Sequence, residues 1–356
     1  MIRFFVPIAT TWLMVFGSSL TFAQQDWQLL ETGSKASLRG LVVVDAKTVW
    51  ASGSDGTVLR TTDGEKFTRV SPTGYEQLDF RSLVAFSDQE AVIASAGERD
   101  VILRTTDGGK SWSLVFEHAG GQAFFDGMVF WDREHGILMG DPLEGRVYLL
   151  VTKDGGQSWK PLDTNDSLTV EPGEAGFAAS NSNLCTVGEN GLLIALGGAK
   201  PGESSQLSHV MWTEDRGATW SRLTVPMPRG ESAGIFSLAT LGRRVIAVGG
   251  DYKQEKIVAG NIAISIDGGR TWIEPGGPAP RGYRSAVTMT DVAGQLLAVA
   301  VGPSGCDISR KGGEDWQPLS DTGFHSARFS PDGSALWASG SNGRIGKLTV
   351  EGLLNK

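Results

Sequence analysis

Apolar residues along this chain come in short runs broken by Gly, Asp, Asn and Ser, and no stretch sustains a long helical period. Runs such as Val101-Ile102-Leu103 and Leu184-Cys185-Thr186-Val187 have the length and composition of strands, so the pattern predicts an all-β chain of many short strands. Gly53-Ser54-Asp55-Gly56 and Ser341-Asn342-Gly343 lie between such runs. Asp-Gly and Asn-Gly pairs suit tight hairpins because both central positions must accept a positive φ. A longer apolar stretch, Phe4 to Phe16, follows Arg3 and leads to Thr21-Phe22-Ala23, which predicts a cleaved secretory signal peptide over residues 1–23. Residues 24–356 contain no second run of bilayer-spanning length, so the expectation is a single periplasmic or secreted domain without stable membrane insertion.

A repeat organises the strands. Thr105-Thr106-Asp107-Gly108-Gly109-Lys110-Ser111-Trp112 returns as Thr152 to Trp159 around Asp154, Thr213 to Trp220 around Asp215, and Ser265 to Trp272 around Asp267. Two copies depart from it: Thr61 to Phe67, around Asp63, is one residue short and ends in Phe, and Ser309 to Trp316 has Lys311 where the aspartate should be. The terminal aromatics fall at 67, 112, 159, 220, 272 and 316, intervals suited to a four-stranded propeller blade. A seventh stands near the beginning, in Trp27-Gln28-Leu29-Leu30, and looks like an outer strand without a blade of its own. The C-terminal end has the complementary gap: residues 329–344 copy residues 44–57, including Trp-Ala-Ser-Gly-Ser, but no further box follows. The expected fold is therefore a seven-bladed β-propeller of four-stranded antiparallel blades, closed by the N-terminal strand joining the C-terminal blade and so leaving no exposed sheet edge.

Blades four and five are long, with insertions at Gly198 to Gln206 and Tyr252 to Gly260, both between the second and third strands and so on one face. The boxes themselves are expected to be structural. Each aspartate (Asp63, Asp107, Asp154, Asp215, Asp267) accepts N–H groups of its turn, and each tryptophan (Trp112, Trp159, Trp220, Trp272, Trp316) packs against a neighbouring blade.

The whole-chain net charge of −8 argues against nucleic acid as a partner. Cys185 and Cys306 fall two blades apart, which favours free thiols over a disulfide. His118, His135, His209 and His325 show no ligand spacing, and no nucleotide-binding fingerprint is present, so neither a metal nor a cofactor is expected.

Repeats of the form Val101-Ile102-Leu103-Arg104-Thr105-Thr106-Asp107-Gly108-Gly109-Lys110-Ser111-Trp112 resemble the photosystem II stability/assembly factor type of Asp-box (BNR) propeller, in its branch from non-photosynthetic bacteria. The resemblance spans nearly all of residues 24–356. It implies a seven-bladed propeller that binds a protein partner and catalyses nothing. Sialidases, xyloglucanase-type glycosidases and sortilin-like receptors share the box, so it specifies architecture more than activity.

Propellers hold ligands at the mouth of the central channel, where the inner strands begin. Aligning the repeats places Arg39, Arg81, Asp126, Glu174, Glu231, Arg284 and His325 at or just before those starts. In a binding site, Arg39, Arg81 and Arg284, with His325, would grip carboxylates or other anionic groups. In an enzyme, Asp126, Glu174 and Glu231 would supply the acid and base of a glycoside hydrolase, which needs two carboxyl groups about 5 to 9.5 Å apart. Asp141, in Gly140-Asp141-Pro142, is expected to begin a turn. The primary expectation is an exported, monomeric, non-enzymatic propeller that holds a protein or peptide; the alternative is a glycoside hydrolase or a saccharide-binding propeller.

Overall fold

The computed structural model describes residues 27–97, 99–120, 123–163, 168–202 and 206–354; the expected signal peptide lies outside them. Seven antiparallel sheets follow one another around a ring. Their inner strands are Leu38–Val43, Asp79–Ala85, Phe125–Phe130, Leu184–Val187, Ala233–Leu241, Ala286–Val292 and Ser326–Phe329. Second strands such as Val49–Gly53 and Ala91–Ala96 are buried along their whole length, and the longer ones through their middle. Each faces neighbouring blades on both sides, which explains their continuous Val, Ile and Ala content.

Ring closure follows the repeat arithmetic. Gln28–Leu30 pairs with Ile345–Thr349, with Gln28 opposite Lys347 and Leu30 opposite Ile345. Trp27 seals the joint, packing on Phe324 with ring centroids 4.7 Å apart. Gly346 makes the niche, since a Cβ there would lie 2.8 Å from Phe324 and 2.9 Å from Trp27. Blade five departs from four full strands: outside Ala233–Leu241, Arg244–Asp251 and Ile262–Ser265, only an isolated bridge, Ile264 to Ile273, stands for the fourth. A short helix absent from the sequence expectation, Val350–Leu354, ends the described chain and buries Leu353.

The turns after the third strands show what each box residue does. Thr105 Oγ1 donates to Asp107 Oδ1 and accepts from Gly109 N–H, while Asp107 accepts from the N–H and Oγ of Ser111. Those donors hold Asp107 down at about 2, and against its burial the matching donors Thr271 and Ser265 hold Asp267 there too. Where Lys311 replaces the aspartate, Ser309 Oγ still accepts from Gly313 N–H at 2.9 Å, and Lys311 turns out to Asp315. The hydroxyl therefore outlasts the carboxylate as the turn's anchor. Trp112 Nε1 donates to Val70 O of the preceding blade, whereas Trp220, Trp272 and Trp316 donate within their own turns. Cys185 and Cys306 are free thiols.

The channel is filled by the chain itself. Before the inner strand of blade four, residues 177–183 pass down the axis and bond to the six other blades. Ala179 O and Ala178 O accept from Arg39 and Arg81 of blades one and two. Asn181 accepts from Met128 N–H of blade three and donates to Leu83 O. Ser182 meets Ser237 of blade five, and Ser180 meets Ser285 O of blade six and Ser326 of blade seven. Asn181 takes φ 54°, a left-handed conformation that asparagine tolerates better than most residues. A buried segment without secondary structure needs partners for its polar groups, and here the surrounding blades supply most of them, Asn183 Oδ1 being left without a donor. The two mouths of the channel are consequently separate cavities.

Candidate functional site

One mouth, on the face where the inner strands begin, is a cavity of about 400 Å³. Its charged lining comes from a shared irregularity. In blades one, two and three the ladder slips by one residue near the start of the inner strand, between Leu38 and Gly40, Phe80 and Ser82, and Phe125 and Gly127. The residues left unpaired are Arg39, Arg81 and Asp126. Blade five has the same slip between Ile235 and Ser237, leaving Phe236. Such bulges re-aim the extra side chain, and all four line the cavity. The residue after each bulge is small because the neighbouring blade lies close: a Cβ on Gly127 would sit 2.2 Å from Asn183 Oδ1.

Four of the seven expected residues, Arg39, Arg81, Asp126 and His325, meet in this cavity; Glu174, Glu231 and Arg284 are not among its lining. Arg284 occupies the corresponding position in blade six, but it is fully buried and its guanidinium turns into the blade to Asp307 and Tyr283 O. Glu174 is buried within blade four, bonded to His209 Nδ1 at 2.7 Å and Arg222 Nη2 at 2.8 Å. Burial opposes its ionisation, yet these partners hold its pKa below the ordinary carboxylate value. Glu231 is exposed and pairs with Lys253. The acid and base trio expected from alignment is thus dispersed: blade four enters the ring through the plug, and the aligned position of blade five is Phe236, five residues beyond Glu231. The apolar-X-small signature of Leu38-Arg39-Gly40, Phe80-Arg81-Ser82 and Phe124-Phe125-Asp126-Gly127 also fits Ile235-Phe236-Ser237, and would have located Phe236 in the sequence.

Sequence reasoning also missed the aromatic wall. Phe177 and Phe236 stack at 3.9 Å with 8° between planes, and Tyr283 meets Phe236 edge-on at 4.8 Å. Tyr252, from the blade-five insertion, closes over both. Opposite this wall, Arg39 bonds only to Ala179 O and has no carboxylate partner among the described residues. Burial and the nearby Arg81 both lower its pKa. Arg81 pairs with Asp79 at 2.8 Å and lies over Phe124. His325 bonds to Ser341, and burial together with Arg39, Arg81 and Arg344 lowers its pKa to about 3, so the ring is neutral.

Asp126 and Asp141 lie against one another at the cavity wall. Asp126 is fully buried, its Oδ2 has no hydrogen-bond partner, and burial followed by the Asp141 charge raises its pKa well above normal. Asp141 is raised to about 6, first by burial. Two neighbouring buried carboxyl groups resist ionising together, so one of them holds its proton to higher pH. A raised folded-state pKa gives stability that is present below the unfolded value and lost as pH rises through the folded value. Stability should therefore fall between about pH 4 and 6, by at most about 3 kcal/mol for the Asp141 shift, less whatever its residual exposure screens. Urea midpoints measured across that range should show the fall in the native protein and a flattened profile in Asp141→Asn.

No protein-family model matches the chain, and no curated protein matches it. Among solved structures, "YCF48 bound to D1 peptide" is similar with TM-score 0.62 and 18% identity over 93% of this chain and 96% of that one. YCF48 from Cyanidioschyzon merolae gives TM-score 0.65 and 16% identity over 92% and 100%. The Niastella koreensis GH74 enzyme gives TM-score 0.58 and 14% identity, over 90% of this chain and 53% of that one. At these identities the likeness is one of fold, and this chain is a seven-bladed propeller similar to YCF48.

Proposed function

We propose that this protein is an exported, non-catalytic propeller of the Asp-box, photosystem II assembly factor-like type from non-photosynthetic bacteria, and that it binds a protein or peptide segment at the Arg39 mouth. The observation that carries the reading is the juxtaposition of Arg39, which has no ion-pair partner among the described residues, and Arg81 with the Phe177, Phe236 and Tyr252 wall. Such a site takes a carboxylate on the guanidinium side and an apolar side chain on the aromatic side. The YCF48 neighbour whose name includes a bound D1 peptide supports this choice of ligand class. The signal-like leader supports export.

The test is selection of peptides from a random library with free carboxyl termini on the immobilised protein. Peptides joining a carboxylate to a large apolar residue should be enriched. Arg39→Gln should weaken the best of them by roughly ten- to a hundredfold, the loss expected for a charge-assisted hydrogen bond, as titration calorimetry would measure. Absence of enrichment, together with turnover of artificial glycosides that Asp126→Asn abolishes, would replace this reading with the hydrolase.

A further inference from the structure

The opposite mouth of the channel holds a second cavity, of about 290 Å³, walled off from the first by residues 177–183. Its sides are interior residues of the inner strands beyond the plug, largely aliphatic, among them Val42, Val84, Val129 and Met289. Arg328, on the inner strand of blade seven, is the sole charged residue of this lining. Its guanidinium donates to Ala327 O at 2.9 Å and to Asn181 O of the plug at 3.2 Å, and it has no carboxylate partner among the described residues. Burial pulls its pKa down to about 10, and the neighbouring group that opposes this fall is the Cys185 thiol, so Arg328 remains a cation at neutral pH without a counter-anion.

Arg328 is half-buried, and a guanidinium partly desolvated against apolar walls is stabilised when an anion joins it. Carbonyl oxygens solvate two of its nitrogens but do not neutralise it. The aliphatic walls would disfavour a strongly hydrated anion such as free phosphate and favour one carried on a hydrocarbon body. We propose that this second mouth binds a small amphiphilic carboxylate, a short-chain acyl acid, with its carboxylate on Arg328 and its chain against the aliphatic side chains of the inner strands. With the carboxylate at the plug and the chain directed to the mouth, a cavity of about 290 Å³ covers only a short acyl chain.

The experiment uses the native protein with ¹³C-methyl methionine and hexanoate as probe. Met128 and Met289 line this cavity, while Met139, Met211 and Met227 are buried in the cores of blades and serve as internal references. Millimolar hexanoate should shift the Met128 and Met289 methyl signals and leave the other three in place. Hexanamide, the neutral isostere, and hexylammonium should each bind at least about tenfold more weakly. Arg328→Gln, if folded by its methyl spectrum, should lose at least about tenfold in hexanoate affinity. Unmoved Met128 and Met289 signals, or equal affinity for hexanoate and hexanamide, would overturn the proposal on the native protein, whatever the fate of the variant.

Discussion

Asp307→Ala is expected to destabilise the propeller by about 3–5 kcal/mol, because it strands a buried arginine. Arg284 is 0% exposed and Asp307 1%. The carboxylate accepts from Arg284 Nε at 2.7 Å, from Arg281 Nε at 2.8 Å and from Arg281 N–H at 3.0 Å. Removing it leaves the Arg284 guanidinium with Tyr283 O and Ser304 Oγ, neither of which carries charge. Arg281 suffers less, since it is partly exposed and also holds Asp321. The double change Arg284→Met with Asp307→Leu should recover much of the loss, since a buried pair replaced by apolar groups of similar volume avoids the uncompensated charge. Guanidinium denaturation of the three proteins checks this. A single variant as stable as the native protein would mean that the pair is solvated or replaceable where it sits.

Trp27→Ala should cost a comparable amount, about 3–5 kcal/mol, through the cavity it leaves. Trp27 packs into a cluster with Phe324, Leu336, Leu348, Leu319 and Cys306, drawn from blades six and seven. The strand that follows it makes three register pairs with the last blade, and its own side chains are half-buried or exposed, so the indole is the main buried anchor of that strand. Leu29→Ala is the control: that side chain is 57% exposed, and its loss should stay within about 0.5 kcal/mol. Amide exchange adds a local readout. Faster exchange of Ile345 to Lys347 in Trp27→Ala would place the damage at the seam, and a stability unchanged from the native protein would show that the ring closes without it.

Much of the architecture is legible in the residues because its signals are local. A Ser or Thr two residues before Asp-Gly-Gly, with an aromatic shortly after, specifies a turn whose bonds all lie within about five residues. Short apolar runs and turn chemistry then set blade after blade, and the unmatched Trp27 strand and the incomplete last repeat identify each other. Part of the site was accessible by the same route. Arg39, Arg81, Asp126 and His325 share an apolar residue before and a small one after, and the structure places them in one cavity. Glu174 and Glu231 lack that frame, and their placement by alignment failed where blades four and five depart from the common length.

The chain sequence by itself determines the number of blades, their order and the seam between first and last, since each depends on contacts between residues near in the chain or on a repeat that can be counted. Only the tertiary structure decides what the channel holds and which side chains face one another across it. Arg39 meets Ala179 across 140 residues and Ser326 meets Ser180 across 146. Whether Arg284 joins the cavity or turns to Asp307, and whether Asp126 finds Asp141, depends on desolvation and on the nearest available partner in the assembled ring. Those quantities have no counterpart in local pattern, because burial and opposite charge act through space and not along the chain.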